Sequence, residues 1–384
     1  SSPDRLNANG IEGADRETVE QYQVEARFLR ALAYWHSLDM FGNVAVVTEI
    51  TAGFPEQSSP AEILDFIESE LNELESLMVK PQQNEYGRAD QAALWMLQAK
   101  LYLNSEAQNG TPRYTDAITA LKKVIGAGYT LEPVYQDLFL TTNNTSNEII
   151  FALNSDGKNS QNWGCTTFLV NGSIGGDMVA ADYGVTGGWA GMRTTKNLVE
   201  QFPDDTGDID SRVLFFTEGQ SLEINDIGTF TDGYAVPKFK NISPDGQPGS
   251  DVTHSDTDFP MFRLADAYLM YAEAILRGGT GGDMGEAVGY INDLRERAYG
   301  NDSGNVAMDE VDLPFILDER SRELYWEAHR RVDLIRFNQY TENGIWPWKG
   351  NVKEGMTTEK FRDIFPIPAS DLLANPSLEQ NDGY

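Results

Sequence analysis

The chain has 384 residues, enough for a large core, and its 29 Lys and Arg against 60 Asp and Glu leave a formal net charge of −31. Such a field repels polyanions, which argues against nucleic acid, an anionic membrane face, and alginate, pectin or sulfated glycans; a neutral ligand suits it best. One cysteine, Cys165, permits no internal disulfide, and no stretch approaches the run of about eighteen apolar residues that a spanning helix needs.

Residues 1–18 are polar, with Gly10 and Gly13 marking a loop. Spacing predicts a helix over 19–40. Val24, Phe28, Leu32 and Trp35 line one face, Ala31 and Leu38 its flank, and Phe41-Gly42-Asn43 ends it, because glycine takes a left-handed turn without strain. Ser59-Pro60-Ala61-Glu62 opens a second helix, with Ser59 as N-cap, Pro60 in the first turn and Glu62 completing a capping box. Ile63, Phe66, Ile67, Leu71, Leu74 and Leu77 form its apolar face. Two later segments read as copies of a helical hairpin, 89–104 with 114–125 and 262–276 with 284–297. In both second helices a small residue precedes apolar ones four and seven later: Ala117, Leu121, Val124, and Ala287, Ile291, Leu294. That is the spacing of a tetratricopeptide repeat, whose stacked hairpins bury a continuous core.

Residues 154–258 differ. Glycine, Asp, Asn, Thr and aromatics dominate, helical spacing persists only near 195–202, and 148–153 and 234–239 read as short strands. So long a loop-rich stretch needs a task, and we read it as a second, ligand-binding lobe. Beyond it, Leu317, Ser321, Leu324, Ala328, Val332 and Ile335 predict one helix over 316–338. Asp318 with Arg322, Glu327 with Arg331, and Asp333 with Arg336 sit at pairing distance along it. Arg and Glu interleaved with Tyr325, Trp326 and Phe337 suggest a helix buried on two sides, its guanidinium groups stacked on rings and forked onto carboxylates. Trp346-Pro347-Trp348 reads as a staple between this helix and the tail, and the proline-bearing end, 361–384, as an extended, ordered strap.

Four segments resemble the SusD/RagB family, the surface glycan-binding lipoproteins of Bacteroidetes. They are EARFLRALAYWHSLDMFGNVAVV (25–47), FRLADAYLMYAEAI (262–275) with INDLRERA (291–298), the 316–338 stretch, and FPIPASDLLANPSLEQNDGY (365–384). They come in the family's order, and the likeness covers most of the chain. The resemblance implies a single domain over 1–384, mainly α, with a tetratricopeptide-like scaffold of helical hairpins (19–127 and 259–340). A loop-rich lobe with short strands (154–258) and the C-terminal strap (361–384) would complete it. It also implies a SusC-like TonB-dependent outer-membrane transporter as partner, and membrane contact through an N-terminal lipid anchor. No signal sequence or lipid-bearing cysteine precedes Ser1, so the chain reads as a trimmed or processed fragment whose leading segment would carry part of the site.

For catalysis there are three histidines. His36 and His329 lie in aromatic, charge-laced helices, and His254 in a polar loop without a second histidine at metal-ligand spacing. No GxSxG, HExxH or phosphate-cradling glycine motif is present; the abundant carboxylates leave a glycoside hydrolase on a helical scaffold open as an alternative. A repeat scaffold that binds a protein and no glycan is another. Sugar recognition fits better. A pyranose has an apolar C–H face that wants a flat ring and a hydroxyl rim that wants amide, carboxylate or guanidinium groups. The lobe offers Trp163 beside Asn162, Phe168, Tyr183 beside Asp182, and Trp189 near Arg193, with Gly187, Gly188 and Gly191 giving the second indole room. No cofactor is called for. Asp204, Asp205, Asp208 and Asp210, or Asp251, Asp256 and Asp258, could hold a structural calcium, but both sets lack the glycine and closing glutamate of an EF-hand. The expectation is a non-catalytic receptor at the outer-membrane cell surface, taking a neutral glucan, α-linked ahead of β-1,3-linked.

Overall fold

Helix α1, Gly13–Phe41, begins ahead of its apolar stripe and buries Phe28, Ala31, Leu32, Trp35 and Leu38. Gly42 stops it at φ 69°, donating its N–H to Leu38 O. In α2, Pro60–Leu74, the capping box forms: Ser59 Oγ accepts from Glu62 N (3.3 Å) and Glu62 Oε2 from Ser59 N (2.8 Å). Helix α3, Gln91–Asn109, is capped by Asp90, whose Oδ1 accepts from Ala92 N and Ala93 N. In α4, Tyr114–Ile125, Ala117, Leu121 and Val124 are buried as their spacing requires. These pack as two hairpins, α1 on α2 and α3 on α4. The structure, a computed structural model, describes residues 8–10, 12–49 and 53–384.

The four helices belong to one compact unit, reaching to Ala127 and resuming at Glu359. Its returning part is a strap with a 3-10 turn, Lys360–Asp363, and a short helix, Ala369–Ala374. Phe365 N donates to Met40 O (2.7 Å), and Asn381 Nδ2 to Phe41 O (2.8 Å), so the strap ties down the end of α1.

Gly128–Thr358 form the second unit. Strand β1, Ile149–Leu153, is followed by α5, Cys165–Gly172, β2, Arg193–Thr194, α6, Lys196–Val199, β3, Tyr234–Ala235, and β4, Phe259–Arg263. Both strand pairs are antiparallel: β1 lies on β4, from Ile149 opposite Arg263 to Leu153 opposite Phe259, and β2 on β3. Leu138, Phe139, Val170, Ile174, Ala235 and Phe239 make the core beneath them. Next come the hairpin of α7, Leu264–Leu276, with α8, Met284–Tyr299, then α9, Leu313–Leu324, and α10, Arg330–Arg336. Ala287, Ile291 and Leu294 of α8 are fully buried.

One expectation fails: 316–338 is not a single helix. It breaks between Leu324 and Arg330, with Trp326 at φ 61° and Ala328 at φ 64°. The cause is long-range. Carbonyls that a continuous helix would pair internally are taken by side chains from elsewhere: Glu323 O by Tyr135 Oη (2.6 Å) and Arg263 Nη2 (2.7 Å), and Tyr325 O by Lys238 Nζ (2.6 Å). Arg322 pairs with Glu319 (2.7 Å) and not with Asp318, whereas Asp333 and Arg336 do pair (2.7 Å). Glu327 turns inward to Lys238 (2.7 Å) and Arg263 (2.7 Å).

The two-sided burial expected of this stretch is fulfilled. Arg263 also grips Glu148 and Glu323 (2.7 Å each), Arg297 joins the same two carboxylates, and Arg212 holds Asp210 (2.7 Å) and Glu319 (2.6 Å). A second cluster links Arg320 to Asp266 and Asp333, and Arg336 to Asp333 and Glu273. Lys238 Nζ stands 4.2 Å from the ring centroids of Phe139 and Tyr325. Desolvation offsets much of what such pairs gain, whereas loss of one partner leaves the other a buried charge without compensation.

Candidate functional site

The candidate site is built around α5. Its polar residues reach into the flanking loops: Thr167 Oγ1 accepts from Ser255 N (3.1 Å), Asn171 Nδ2 donates to Thr253 O (2.9 Å), and Ser155 Oγ meets Thr166 Oγ1 (3.0 Å). Its end is satisfied by a third loop, where Trp189 N donates to Asn171 O (2.8 Å), Ala190 N to Ile174 O (2.9 Å) and Met192 N to Gly172 O (2.7 Å). Three loops are thus tied to one short helix.

That arrangement gathers four rings. Trp163, on the loop before α5, is 63% exposed; Trp189 is 42% exposed, and Phe168, on α5 itself, 46%. The indoles lie 6.1 Å apart with planes inclined at 44°. Phe168 flanks Trp189 at 5.8 Å, and His254 lies 4.9 Å from Trp163. Exposed apolar rings gathered in one cluster make this surface the candidate for an interaction site. The glycines near Trp189 act differently from the sequence argument. A Cβ on Gly188 would stand 2.0 Å from Ile174 O, so this glycine lets the loop lie flat on the end of α5; Gly187 borders open space.

Of the other candidates, only Asn162 adjoins a ring of the cluster along the chain, next to Trp163. Asn162 shapes the turn into α5, its Oδ1 accepting from Gly164 N (2.8 Å). Tyr183 packs half-buried against the core, and burial, with the neighbouring Asp182 charge, raises its phenol pKa. Asp182 itself is exposed. Arg193 Nε donates to Asp232 O (2.6 Å) and Nη2 to Ile227 O (2.8 Å), which fixes that loop. Phe168 entered the sequence argument only as an aromatic, and His254 only as a metal or catalytic candidate. The signal for His254 as part of the cluster was its Asp three residues earlier, which builds the turn that presents it.

The remaining groups are engaged elsewhere. Among the described residues no three His, Cys, Asp or Glu converge as metal ligands. Asp204 Oδ2 accepts from Ile209 N, Asp210 pairs with Arg212, and Asp256 and Asp258 accept from Gly157 N and Ser155 N. His36 is held below its usual pKa by burial and by Lys100, and lies 4.8 Å from the ring of Trp35. Trp348 Nε1 donates to Ile224 O (3.0 Å), fastening its segment to a loop of the lobe. A concavity of about 1120 Å³ runs beside α9 and α10, lined by Trp326, Arg330, Tyr340 and Trp346; Arg320, Asp333 and Arg336 in its wall belong to the second ion-pair cluster.

The model of the SusD family matches residues 208–384. Over 418 aligned residues, 96% of this chain and 74% of the relative, the sequence is 34% identical to the starch-binding protein SusD of Bacteroides thetaiotaomicron. A SusD-like protein of Formosa agariphila is 26% identical, across 98% of this chain and 75% of its own length. Among solved structures, a SusD superfamily protein from Parabacteroides distasonis superposes with a TM-score of 0.77 at 23% identity, covering 99% of this chain and 82% of that one. A laminarin-binding SusD-like protein gives 0.75 at 23% identity, with 99% and 82% covered. These neighbours share the mainly helical, tetratricopeptide-like fold. Members of the family are non-catalytic carbohydrate-binding lipoproteins of the outer-membrane cell surface that work with SusC-type transporters. With a third of its residues shared along nearly its whole length, the chain belongs to the SusD family and is a surface glycan-binding protein, not an enzyme.

Proposed function

We propose that the protein captures a neutral glucan, α-linked ahead of β-1,3-linked, on the Trp163–Trp189 platform and delivers it to a SusC-like TonB-dependent transporter, tethered to the outer membrane by an N-terminal lipid. The observation that carries the reading is the pair of exposed indoles inclined at 44°. Coplanar rings suit a flat ribbon of sugars, whereas inclined rings suit a chain that bends between residues, as helical glucans do. Each stacked pyranose covers on the order of 100 Å² of apolar area, about 2–3 kcal/mol before ordering costs, so two rings give useful binding. Asn162 adjoins Trp163 along the chain, Arg193 braces its own loop through Asp232 O and Ile227 O, and Tyr183 packs on the core of the lobe. The net charge of −31 favours an uncharged ligand. Kinship supports the linkage preference: the relative at 34% identity is named for starch, the laminarin binder stands at 23%. Capture needs no cofactor.

Affinity electrophoresis through gels cast with glycogen, amylopectin, laminarin or an acidic glycan tests this. Retardation strongest in the α-glucan gels, weaker in laminarin and absent in the acidic gel is expected. Free migration of the full-length protein through every neutral glucan would remove the glucan reading.

A further inference from the structure

His254 differs from the other rings of the platform. Its side chain is only 15% exposed, and its ring lies 4.9 Å from that of Trp163, inclined at 53°. It is fixed from behind: Asp251 Oδ1 accepts from the backbone N–H of Thr253 and of His254 (2.8 Å each) and lies 3.2 Å from the imidazole Nδ1. Asn171 and Thr167 pin the same turn to α5. The base of the Trp163 loop leans on it as well, since a Cβ on Gly157 would come within 2.6 Å of His254 O. Trp163 therefore has two rings against it, Trp189 and His254, of which the imidazole is the more deeply seated.

We infer that His254 is a positioning residue for glycan selection: held in place by the turn that Asp251 builds, its ring sets the tilt of Trp163 against Trp189 and so selects the curvature of the glucan chain that the platform accepts. This rests on the platform reading above. Two stacking faces engage two sugars of one chain only where the angle between them matches the bend of that chain. An indole free to swing would lose orientational freedom on binding and would meet either curvature, so affinity and selectivity would fall together.

The test compares His254→Leu, which fills the space without a flat face, with His254→Phe, which restores a ring. Both run beside Trp163→Ala and the parent protein in glycogen and laminarin gels, with a thermal melt of each. His254→Leu is expected to lose about tenfold in glycogen affinity and to bring the glycogen-to-laminarin ratio towards one, while His254→Phe holds affinity within about threefold and keeps the ratio. A role confined to filling space would be met by either side chain. Equal behaviour of the two variants, both unaffected or both impaired, overturns the inference. Parent-like retention of Trp163→Ala in both gels would instead bring down the platform reading.

Discussion

Trp163 faces water across most of its surface and Trp189 across two fifths, and each presents a face that a sugar could cover. Truncation to alanine removes that contact without unpairing any group in the core. Trp163→Ala and Trp189→Ala should each weaken retention in an α-glucan gel by about tenfold or more, which the 2–3 kcal/mol of one stacked face allows. Unchanged mobility in both would show the site to be elsewhere. Trp189 is the more buried of the two, 42% exposed against 63%, and packs on Phe168 as well as Trp163, so its variant should lower the melting temperature more than that of Trp163, which gives up its contacts with Trp189 and His254. Glycine supplies the sharper contrast. Gly188→Ala drives a methyl group into Ile174 O and must lift the loop, at a cost of about 1–3 kcal/mol and with loss of retention. At Gly187, with nothing within 4 Å, the same change should stay within about 0.5 kcal/mol. Urea denaturation of the two variants checks this directly.

The element that organises the second unit is the interrupted helix α9–α10. Glu327, at the interruption, accepts from Arg263 and Lys238 and is fully enclosed with them. Glu327→Gln leaves two buried cations short of a counter-charge and should cost about 3–5 kcal/mol in urea denaturation, and adding Lys238→Met should recover part of that loss. A double variant no better than the single one would mean that Lys238 and Glu327 are not coupled. The break also shows what sequence conveys. Capping at Ser59, the stop at Gly42 and the small-residue spacing at Ala117 and Ala287 are local, so they were legible. The left-handed turns at Trp326 and Ala328 were not, because side chains of Arg263, Lys238 and Tyr135, remote in sequence, claim the carbonyls. Helix α5 was hidden for a related reason. Its threonines and Asn171 read as loop residues until they are seen holding three loops. Trp163 and Trp189 stood out through their small and polar neighbours, but their convergence, and the arrival of His254 beside them, depends on that unseen helix.

For the whole molecule the decisive quantity is charge, strongly negative in total and gathered within into buried ion-pair clusters. A neutral ligand leaves the outer field without a part in binding, so retention by an α-glucan should change little between about 50 and 500 mM salt, whereas an acidic ligand would show a steep dependence. The inner balance governs stability in acid. Burial alone would raise the carboxyl of Glu319, but Arg212, Arg322 and Arg295 outweigh it and hold the group at about 2. Glu273, Glu323, Glu327 and Asp333 are likewise held down by their arginines against the effect of burial. In the unfolded chain these groups return to the ordinary range near 4, so between about pH 4.5 and 2 the unfolded state binds more protons than the folded one. The stability they contribute is therefore complete above about pH 4.5 and is lost as pH falls towards 2. Relief of repulsion among the surface carboxylates acts in the opposite direction over the same range, but salt screens it while the buried pairs are little affected. Urea denaturation at about 0.3 M salt should accordingly show a plateau down to about pH 5 and a steep loss below it. Glu319→Gln should be less stable at neutral pH, and its curve below pH 4.5 should be shallower by roughly 3 kcal/mol in total. A variant whose acid limb runs parallel to that of the parent would show that Glu319 does not carry the proton linkage.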